Sequence, residues 1–275
     1  YQKECQCCGS SGRRLTTDIR PVFPEERLLL EIMTDKTPGY YEKMSVWNCS
    51  GNRYIADGQR VDFAVKDLKN KNPNDIRIRY ENEVSNIDYR YFNEFKDRFI
   101  KANRSRYEFI VKEAVDYIKN STKDYTAKDM FVSFSGGKDS TVTSDLVMRA
   151  LSEPKILHIF GDTTLEFPET MKYIERFKKE HPQTPVVSSR NKDKDFEELC
   201  ALVGPPSRVM RWCCTIFKTG AIQRKIKTMF RNKNKIITFY GIRRNESASR
   251  NKYERETEGS KITKQITISP IIDWM

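Results

Sequence analysis

Histidine is scarce in this chain, which has only His158 and His181 among its 275 residues. This scarcity excludes metal sites built from several histidines and argues against histidine-dependent catalytic triads. Long apolar runs are also lacking, so no stretch of about 18 hydrophobic residues is available to span a membrane. The first residues do not contain the apolar core of a signal peptide. We therefore expect a protein without membrane contact that resides in the cytoplasm.

Positive charge, in contrast, is in excess. Lys and Arg number 50 against 38 Asp and Glu, which gives a formal net charge of +12, and hydrophobic residues make up 37% of the chain. That apolar fraction is enough for a packed core. The basic excess favours a polyanionic partner, such as a nucleotide, a nucleic acid or an acidic protein.

Part of this charge is concentrated in one stretch without any acidic residue. Its basic residues are Lys218, Arg224, Lys225, Lys227, Arg231, Lys233 and Lys235. A solvated helix face usually mixes charges of both signs. The stretch is therefore a candidate for contact with nucleic acid, with a solvated surface as the alternative.

The seven cysteines form an odd number and are unevenly distributed. This pattern favours metal or redox chemistry in a reducing compartment over a disulfide framework. Cys5, Cys7 and Cys8 precede Gly9, and a glycine after cysteine allows the tight turn of a tetrahedral metal site. We interpret this cluster as one half of a zinc knuckle.

A second cysteine pair, Cys213 and Cys214, is formed by adjacent residues, which are poorly placed to bridge each other. Arg211 and Lys218 lie nearby in the sequence. Basic neighbours favour thiolates, and thiolates serve as metal ligands or as nucleophiles in sulfur chemistry. Two buried structural thiols are the alternative interpretation.

The chain is predicted to have three parts. Residues 1–85 form a small β-rich domain that carries the cysteine knuckle, includes a hairpin and adds a strand at Asp75–Tyr80. Residues 86–128 have apolar residues at helical spacing and form a helical connector. Residues 129–275 alternate strands with helices. Because the chain begins with Tyr1 and stops abruptly at Met275, we expect a fragment of a longer protein with a truncated carboxyl end.

In the third part, five apolar segments predict five strands, at residues 130–134, 156–160, 185–188, 236–240 and 266–272. Unbroken apolar strands separated by helices indicate an α/β fold with a parallel sheet that helices cover on both faces. Ligands of such folds bind beyond the carboxyl ends of the strands. His158, between two apolar strand residues, is expected to be a core histidine with satisfied hydrogen bonds.

The strongest motif lies between the first of these strands and the helix that follows. Two glycines allow the backbone to turn tightly and to approach an anion closely. The following helix presents open amides and the positive end of its dipole, which suits phosphate. The residues assigned to nucleotide binding here are Ser133, Ser135, Gly136, Gly137, Lys138, Asp139 and Ser140.

This Ser135–Ser140 segment resembles the pyrophosphate-binding loop of the adenine nucleotide α-hydrolase (PP-loop) superfamily. Further segments resemble the phosphoadenosine phosphosulfate (PAPS) reductase family: 161–170, 211–218, 241–250 and 269–274. The resemblance covers residues 129–275 and implies a HUP-type sandwich with a five-stranded parallel sheet. It also implies an adenine nucleotide, ATP or PAPS, as ligand; where ATP is the substrate, cleavage at the α-phosphate transfers AMP and releases pyrophosphate.

The chemistry of residues outside the loop suits the same site. Asp162 ends its strand beside the loop, where a carboxylate can hold Mg²⁺ or a ribose hydroxyl. Arg243, Arg244 and Arg250 offer forked donors to phosphate or sulfate oxygens, and Lys218 adds positive charge. The alternatives are a turn or helix-capping role for Asp162, surface ion pairs for the arginines, and solvation for Lys138 and Lys218. We assign Asp162, Cys213, Cys214, Arg243 and Arg244 to the catalytic site, and Lys218 and Arg250 to nucleotide binding.

In iron–sulfur members of the family, a vicinal cysteine pair supplies two of the four cluster ligands, and a second pair follows later in the chain. No such pair follows Cys214 here. The cluster is therefore either completed by residues beyond this sequence, built differently or absent.

Three functions are compatible with these features. The first is ATP-dependent activation and sulfur insertion into a tRNA or a DNA, with a protein as sulfur donor; the basic stretch and the additional amino-terminal domain favour it. The second is reduction of PAPS or adenosine phosphosulfate with release of sulfite, which requires a nucleophilic cysteine that the family carries near its carboxyl end. The third is a nucleotide-binding module without catalysis in a larger assembly.

Overall fold

The computed structural model describes residues 4, 9, 11, 19–49, 53–247, 249–260 and 264–274. Cys5, Cys7 and Cys8, the predicted zinc ligands, lie outside the described residues. The chain forms two compact units, one that ends at Glu108 and one that comprises Phe109–Trp274. No helix of the described residues is both long and apolar enough to cross a membrane.

The first unit contains a small antiparallel sheet in the order β1 to β4. Its elements are β1 (Ile19–Pro21), α1 (Pro24–Met33), β2 (Val46–Cys49), β3 (Arg53–Ala56) and β4 (Gln59–Arg60). Pro24 starts α1, and the two glutamates after it suit the positive end of the helix. The core of this unit consists of Val22, Leu30, Tyr41, Val46, Tyr54 and Val61. The predicted β-rich character of this region is present in the structure.

Two helices, α2 (Pro73–Glu83) and α3 (Arg90–Ala102), complete the first unit. The prediction of a strand at Asp75–Tyr80 was wrong, because these residues lie within α2. Apolar and charged residues alternate there with the period of a strand. Asn72, however, accepts a hydrogen bond from the amide of Asn74 and is followed by proline, and together they start a helix.

The second unit alternates strands and helices. After α4 (Arg104–Thr122), its elements are β5 (Met130–Phe134), α5 (Lys138–Leu151), β6 (Leu157–Asp162), α6 (Pro168–Glu180), β7 (Val186–Arg190), α7 (Phe196–Val203), α8 (Ala221–Met229), β8 (Lys235–Tyr240), β9 (Glu256–Ser260) and β10 (Lys264–Ile268). A π-helix, Cys214–Gly220, leads directly into α8.

The strands of this unit form one sheet in the order β7-β6-β5-β8-β10-β9. Neighbours from β7 to β10 are parallel, and β9 pairs antiparallel with β10 at the edge. The predicted α/β fold with five parallel strands is confirmed. The sixth strand, β9, escaped prediction because its residues, Glu-Thr-Glu-Gly-Ser, are polar.

Helices pack on both faces of this sheet. On one face, Val132 of β5 belongs to a cluster with Ala114 and Ile118 of α4 and Leu146 of α5. On the other face, Phe131 packs with residues of α8 and the segment after it. Because successive strand residues point to opposite faces, this alternation places a core on each side of β5. The loop after β5 therefore starts from a strand that is fixed on both sides.

Candidate functional site

The loop between β5 and α5 is built around Gly136 and Gly137. Gly136 has a φ of +73°, a conformation that L side chains rarely adopt. A Cβ atom at this position would also lie 3.0 Å from Cδ1 of Ile174 on α6. Gly137 has an ordinary φ of −80°, so its lack of a side chain keeps the space in front of the helix open.

Hydroxyl groups close this loop from the inside. Ser140 Oγ donates to the carbonyl of Gly137 at 2.9 Å and accepts from the amide of Ser135 at 3.2 Å. The hydroxyls of Ser135 and Ser140 lie 3.2 Å apart. Thr141 Oγ1 also donates to the Gly137 carbonyl, at 3.1 Å. These contacts hold the turn in shape, and Ser140, which is buried, acts within the loop.

The amino end of α5 has no side-chain cap. The first amides of a helix have no partner within the helix, and they carry the positive end of its dipole. Lys138, in the first turn, is exposed. An uncapped helix start at the carboxyl end of a central parallel strand is suited to bind phosphate.

The segment that follows β8 lies directly against this helix start. A Cβ atom on Gly241 would be 2.5 Å from the carbonyl carbon and oxygen of Asp139 and 2.7 Å from the amide nitrogen of Ser140. Backbone atoms cannot move aside as a flexible side chain can, so only glycine fits here. The sequence placed Gly241 at the start of the family-like segment 241–250, the arginine-rich segment, but did not predict this close contact.

Arg243, in the same segment, is 7% exposed. Its Nε atom lies 3.1 Å from Oδ1 of Asp139, and its Nη2 atom lies 3.7 Å from Oε1 of Glu246. The guanidinium therefore ties the end of β8 to the first turn of α5. In this position Arg243 and Asp139 support the loop.

The other two arginines also have acidic partners. Arg244 pairs with Asp273 and donates from Nε to the carbonyl of Tyr253 at 3.0 Å. Arg250 pairs with Glu246. The Arg250 side chain is 41% exposed, so it remains open to an anionic ligand on its free side.

Asp162 ends β6, next to the loop. Phe134 and Phe160 are register partners on neighbouring strands. Gly136 lies two residues after Phe134, and Asp162 lies two residues after Phe160, so both follow the paired strands at the same level. Oδ1 of Asp162 accepts from the amide of Thr164 at 2.9 Å. The carboxylate is thus held at the edge of the sheet where the loop begins.

Thr164 has a φ of +68°, which is unusual for a β-branched residue. Its hydroxyl accepts from the amide of Phe196, the first residue of α7, at 3.2 Å. These contacts link Asp162, the loop after β6 and α7. No sequence pattern pointed to Thr164, because its residue type does not favour this conformation.

Ser133 lies within β5 and is half-buried. Its register partner on β8 is Tyr240. Ser133 therefore lies one step inside the sheet, whereas Ser135 is exposed at the loop.

Cys213 and Cys214 lie at the start of the π-helix, and both thiols are free and half-buried. Nη2 of Arg211 donates to Sγ of Cys214 at 3.5 Å. Trp212 donates from Nε1 to the carbonyl of Gly204 at 3.2 Å. Lys218 is exposed within the π-helix.

The described residues do not complete a metal site around this pair. Within the part of the chain that the structure describes, no group of three or more His, Cys, Asp or Glu side chains is placed to hold a metal ion. The described residues therefore do not by themselves supply the ligands of a four-ligand iron–sulfur cluster or a tetrahedral zinc site. A magnesium ion bound with a nucleotide needs only one or two carboxylates besides phosphate oxygens, and Asp162 is such a carboxylate.

His158 is fully buried, as predicted for a core histidine. Its Nδ1 atom lies 2.9 Å from the carbonyl of Ile156, and its Nε2 atom lies 2.7 Å from the hydroxyl of Ser144. A neutral ring that donates from Nδ1 and accepts at Nε2 satisfies both bonds. Burial lowers the pKa of His158 to about 4, so this ring is neutral at physiological pH.

The basic stretch is divided by the structure into two kinds of residue. Lys233 pairs with Asp129 at 2.6 Å, and Lys235 pairs with Glu258 at 3.2 Å. Arg224, Lys227 and Arg231 are exposed. Among the described residues, none of these three lies within ion-pair distance of an acid.

The model of the phosphoadenosine phosphosulfate reductase domain matches residues 129–275. An uncharacterised protein of Methanocaldococcus jannaschii is 33% identical over 215 residues, which cover 78% of this chain and 41% of that relative. An adenosine 5'-phosphosulfate reductase of Anoxybacillus flavithermus is 27% identical over 157 residues, which cover 55% of this chain and 61% of that relative.

Among solved structures, a PAPS reductase from Candida auris in a phosphate complex has a TM-score of 0.41 at 14% identity and covers 58% of this chain and 79% of that chain. The chain spans 41% and 49% of the length of the two Methanocaldococcus jannaschii relatives it matches. The matched family region contains the loop, Asp162, the cysteine pair and the arginine-rich segment. This chain therefore belongs to the phosphoadenosine phosphosulfate reductase domain family.

Proposed function

We propose that this chain binds ATP at the Ser135–Ser140 loop and uses it to activate a nucleic acid for sulfur insertion. The observation that carries the proposal is the uncapped amino end of α5 behind the Gly136–Gly137 turn. In this reaction an oxygen of the acceptor base attacks the α-phosphorus, and the bond to the pyrophosphate oxygen breaks. The outer sulfur of a persulfide then attacks the activated carbon, AMP leaves with the original oxygen, and a thiol reductant cleaves the remaining S–S bond to release the thiolated base.

The loop and its surroundings have distinct tasks in this scheme. The open amides of α5 bind the β- and γ-phosphates, and Lys138 neutralises part of their charge. Asp162 is the carboxylate that would hold Mg²⁺, which, when bound to a nucleotide, neutralises charge on the phosphates. Arg243 fixes the first turn of α5 through Asp139, at 3.1 Å.

Arg244 and Arg250 are the donors proposed for the α-phosphate side of the nucleotide. Their side chains are 30% and 41% exposed, and each has one acidic partner. Partial exposure allows a guanidinium to keep that partner and to donate to a phosphate oxygen with its remaining N–H groups. Lys218 adds charge near the cysteine pair.

The nucleic acid is the acceptor that the charge distribution favours. Arg224, Lys227 and Arg231 lie exposed on α8 and the residues just after it. Side chains of this kind bind phosphates of a nucleic acid backbone and release counterions, which makes the affinity dependent on salt. Cys213 and Cys214 are the thiols proposed to attack the outer sulfur of a persulfide on the donor protein, which breaks the donor's S–S bond and releases its cysteine as a thiolate.

The test is pyrophosphate release from Mg-ATP, measured with tRNA, with DNA and without nucleic acid. We expect nucleic acid to stimulate release in the native protein. Replacing Arg224, Lys227 and Arg231 by Gln should reduce the stimulation and the salt dependence of binding, while basal ATP binding stays unchanged. The matched control replaces three exposed basic residues of α6 by Gln: Lys172, Arg176 and Lys179. Equal effects of both triple variants would contradict a nucleic-acid surface on α8.

Reduction of a sulfonucleotide is the second candidate, favoured by the Anoxybacillus relative, which is named an adenosine 5'-phosphosulfate reductase. Sulfite release from PAPS or adenosine phosphosulfate with a thiol donor, without pyrophosphate release from ATP, would replace the first proposal. If neither activity is found and ATP still binds, the chain is a nucleotide-binding module.

A further inference from the structure

The cysteine pair is followed by an uncommon type of helix. Residues Cys214–Gly220 form a π-helix of 7 residues, and Cys213 is its amino-terminal flanking residue. Turns of this kind bond i to i+5 and hold one residue more than the corresponding α-helical segment. They occur mostly as single turns inserted in α-helices, often at functional sites. Here the insertion separates the thiols from α8.

Gly220 is the residue that allows this wide turn. Its own conformation, with φ −68° and ψ −39°, is that of an ordinary helical residue, so glycine is not required for backbone flexibility. A Cβ atom on Gly220, however, would lie 2.6 Å from the carbonyl oxygen of Thr215. Thr215 precedes Gly220 by five residues, the spacing of the π-helical turn. The missing side chain is therefore needed for the close approach of that carbonyl.

The helix after Gly220 is fixed in place. Ala221 and Ile226 are 2% and 6% exposed, respectively. A Cβ atom on Gly161 of β6 would lie 3.3 Å from Cδ1 of Ile222, so α8 packs closely on the sheet. If the turn at Gly220 changes, α8 stays in place. The residues before Gly220, which include the cysteines, must therefore rotate instead.

The residues before the π-helix are also anchored. The Trp212 ring lies 5.2 Å from the ring of Phe196 and 6.2 Å from that of Phe217, between centroids. Its Nε1 atom donates to the carbonyl of Gly204. Each residue of an α-helix advances by about 100° around the axis. If the wide turn were lost while every residue was kept, Cys213 and Cys214 would rotate by about this angle around the helix axis. That rotation would disrupt the contacts of Trp212.

We propose that Gly220 is a positioning residue for the Cys213–Cys214 pair. By admitting the extra residue of the π-helix, it keeps both thiols and the Arg211–Cys214 contact in phase with the sheet on which α8 packs. The position of the thiols does not depend on the proposed function. Only its importance for sulfur transfer rests on that function, in which Cys213 and Cys214 carry the sulfur.

The orientation is tested by site-resolved alkylation with iodoacetamide, followed by mass spectrometry, in Gly220→Ala. We expect the rate at Cys213 or Cys214 to change by at least about fivefold, since thiol reactivity depends on surroundings and access. The rate at Cys200 on α7 should stay within about twofold of the native value. Gly259→Ala is the control, because a Cβ atom on Gly259 meets no atom within 4 Å.

A second pair of variants separates positioning from folding. Deleting exposed Thr219 in the Gly220→Ala background removes the extra residue, so an α-helix can connect the same flanking residues in their native phase. This variant should recover native alkylation rates at both thiols, and so should deletion of Thr219 alone. Native rates in Gly220→Ala, or altered rates in the folded Thr219 deletion, would overturn the proposal. Buried Cys49 reports unfolding of the first unit.

Sulfur transfer to nucleic acid is measured separately on the same proteins. If native protein transfers no sulfur, the proposed function fails while the alkylation result still decides the role of Gly220. If native protein transfers sulfur and Gly220→Ala does not, recovery in the variant that also lacks Thr219 supports positioning.

Discussion

Replacement of Gly241 by alanine tests how the nucleotide loop is supported. The added Cβ atom would lie 2.5 Å from the carbonyl oxygen of Asp139, whereas ordinary van der Waals contact begins at 3.4 Å. The strand end and the first turn of α5 must therefore separate by almost 1 Å. Both sides of the contact are backbone, and α5 begins just before Asp139, so the displacement falls on the amides that we propose to bind phosphate.

Overpacking of a tightly packed site costs about 1–3 kcal/mol. If this cost falls on the binding conformation of the loop, affinity for Mg-ATP decreases by roughly 5-fold to 140-fold, since about 1.4 kcal/mol corresponds to a factor of ten. If it falls on the fold as a whole, the melting temperature decreases instead. Isothermal titration calorimetry and thermal unfolding of Gly241→Ala measure the two effects.

Gly259→Ala is the matched control, since it adds the same methyl group in the same unit where no atom lies within 4 Å. We expect its affinity and melting temperature to match those of the native protein. If Gly241→Ala binds Mg-ATP within twofold of the native affinity and melts at the native temperature, the contact between Gly241 and α5 does not support the loop as described.

Three further predictions concern the loop, the core and the strained turn. Gly137→Val should weaken Mg-ATP binding strongly but change the melting temperature little, because a Cβ atom there meets only Ser135 Oγ, at 3.4 Å. A calorimetric titration measures the affinity, and a melting curve measures the stability. Native affinity would contradict the assignment of the loop to phosphate binding. Burial lowers the pKa of His158 from 6.5 to about 4. As the pH falls, His158 is therefore protonated in the unfolded chain before it is protonated in the native protein. The free energy of unfolding should fall by about 3 kcal/mol between pH 7 and pH 4. Urea unfolding of the native protein across this pH range should show that loss. If the free energy of unfolding of His158→Gln falls equally with pH, His158 is not the cause. Thr164→Val keeps the positive φ but leaves the amide of Phe196 without its acceptor, so it should lower stability by about 1–3 kcal/mol; an unchanged urea midpoint would argue against this link.

The elements that sequence predicted correctly are those in which one local signal determines the structure. Apolar segments such as Met130–Phe134 and Lys235–Tyr240 have few alternatives to a buried parallel strand. The two glycines after β5 lie in a position where helix and strand must meet. His158 was correctly placed in the core because both of its sequence neighbours are apolar.

Other features depend on contacts between distant parts of the chain, and local sequence carries little of that information. Asp75–Tyr80 alternates like a strand, but the start signal at Asn72–Pro73 determines its helical structure. The hydrogen bond from the amide of Phe196 to the hydroxyl of Thr164 joins residues that lie 32 positions apart in the chain. Arg243 pairs with Asp139 of α5, and Arg244 pairs with Asp273, so each of these pairs joins residues that are distant in the sequence. The π-helix likewise depends on how Gly220 meets Thr215.

The antiparallel edge strand β9 has a consequence for the behaviour of the protein at high concentration. Strand β10, with Ile266 and Ile268 buried, would otherwise present open backbone groups beside apolar side chains, which favours pairing with strands of other molecules. Glu258 of β9 is bonded to Lys235 at 3.2 Å and to Lys264 at 3.1 Å. A second chain that added to this edge would meet a short, charged strand. Strand β9 thus protects the sheet from aggregation at the side away from the thiols.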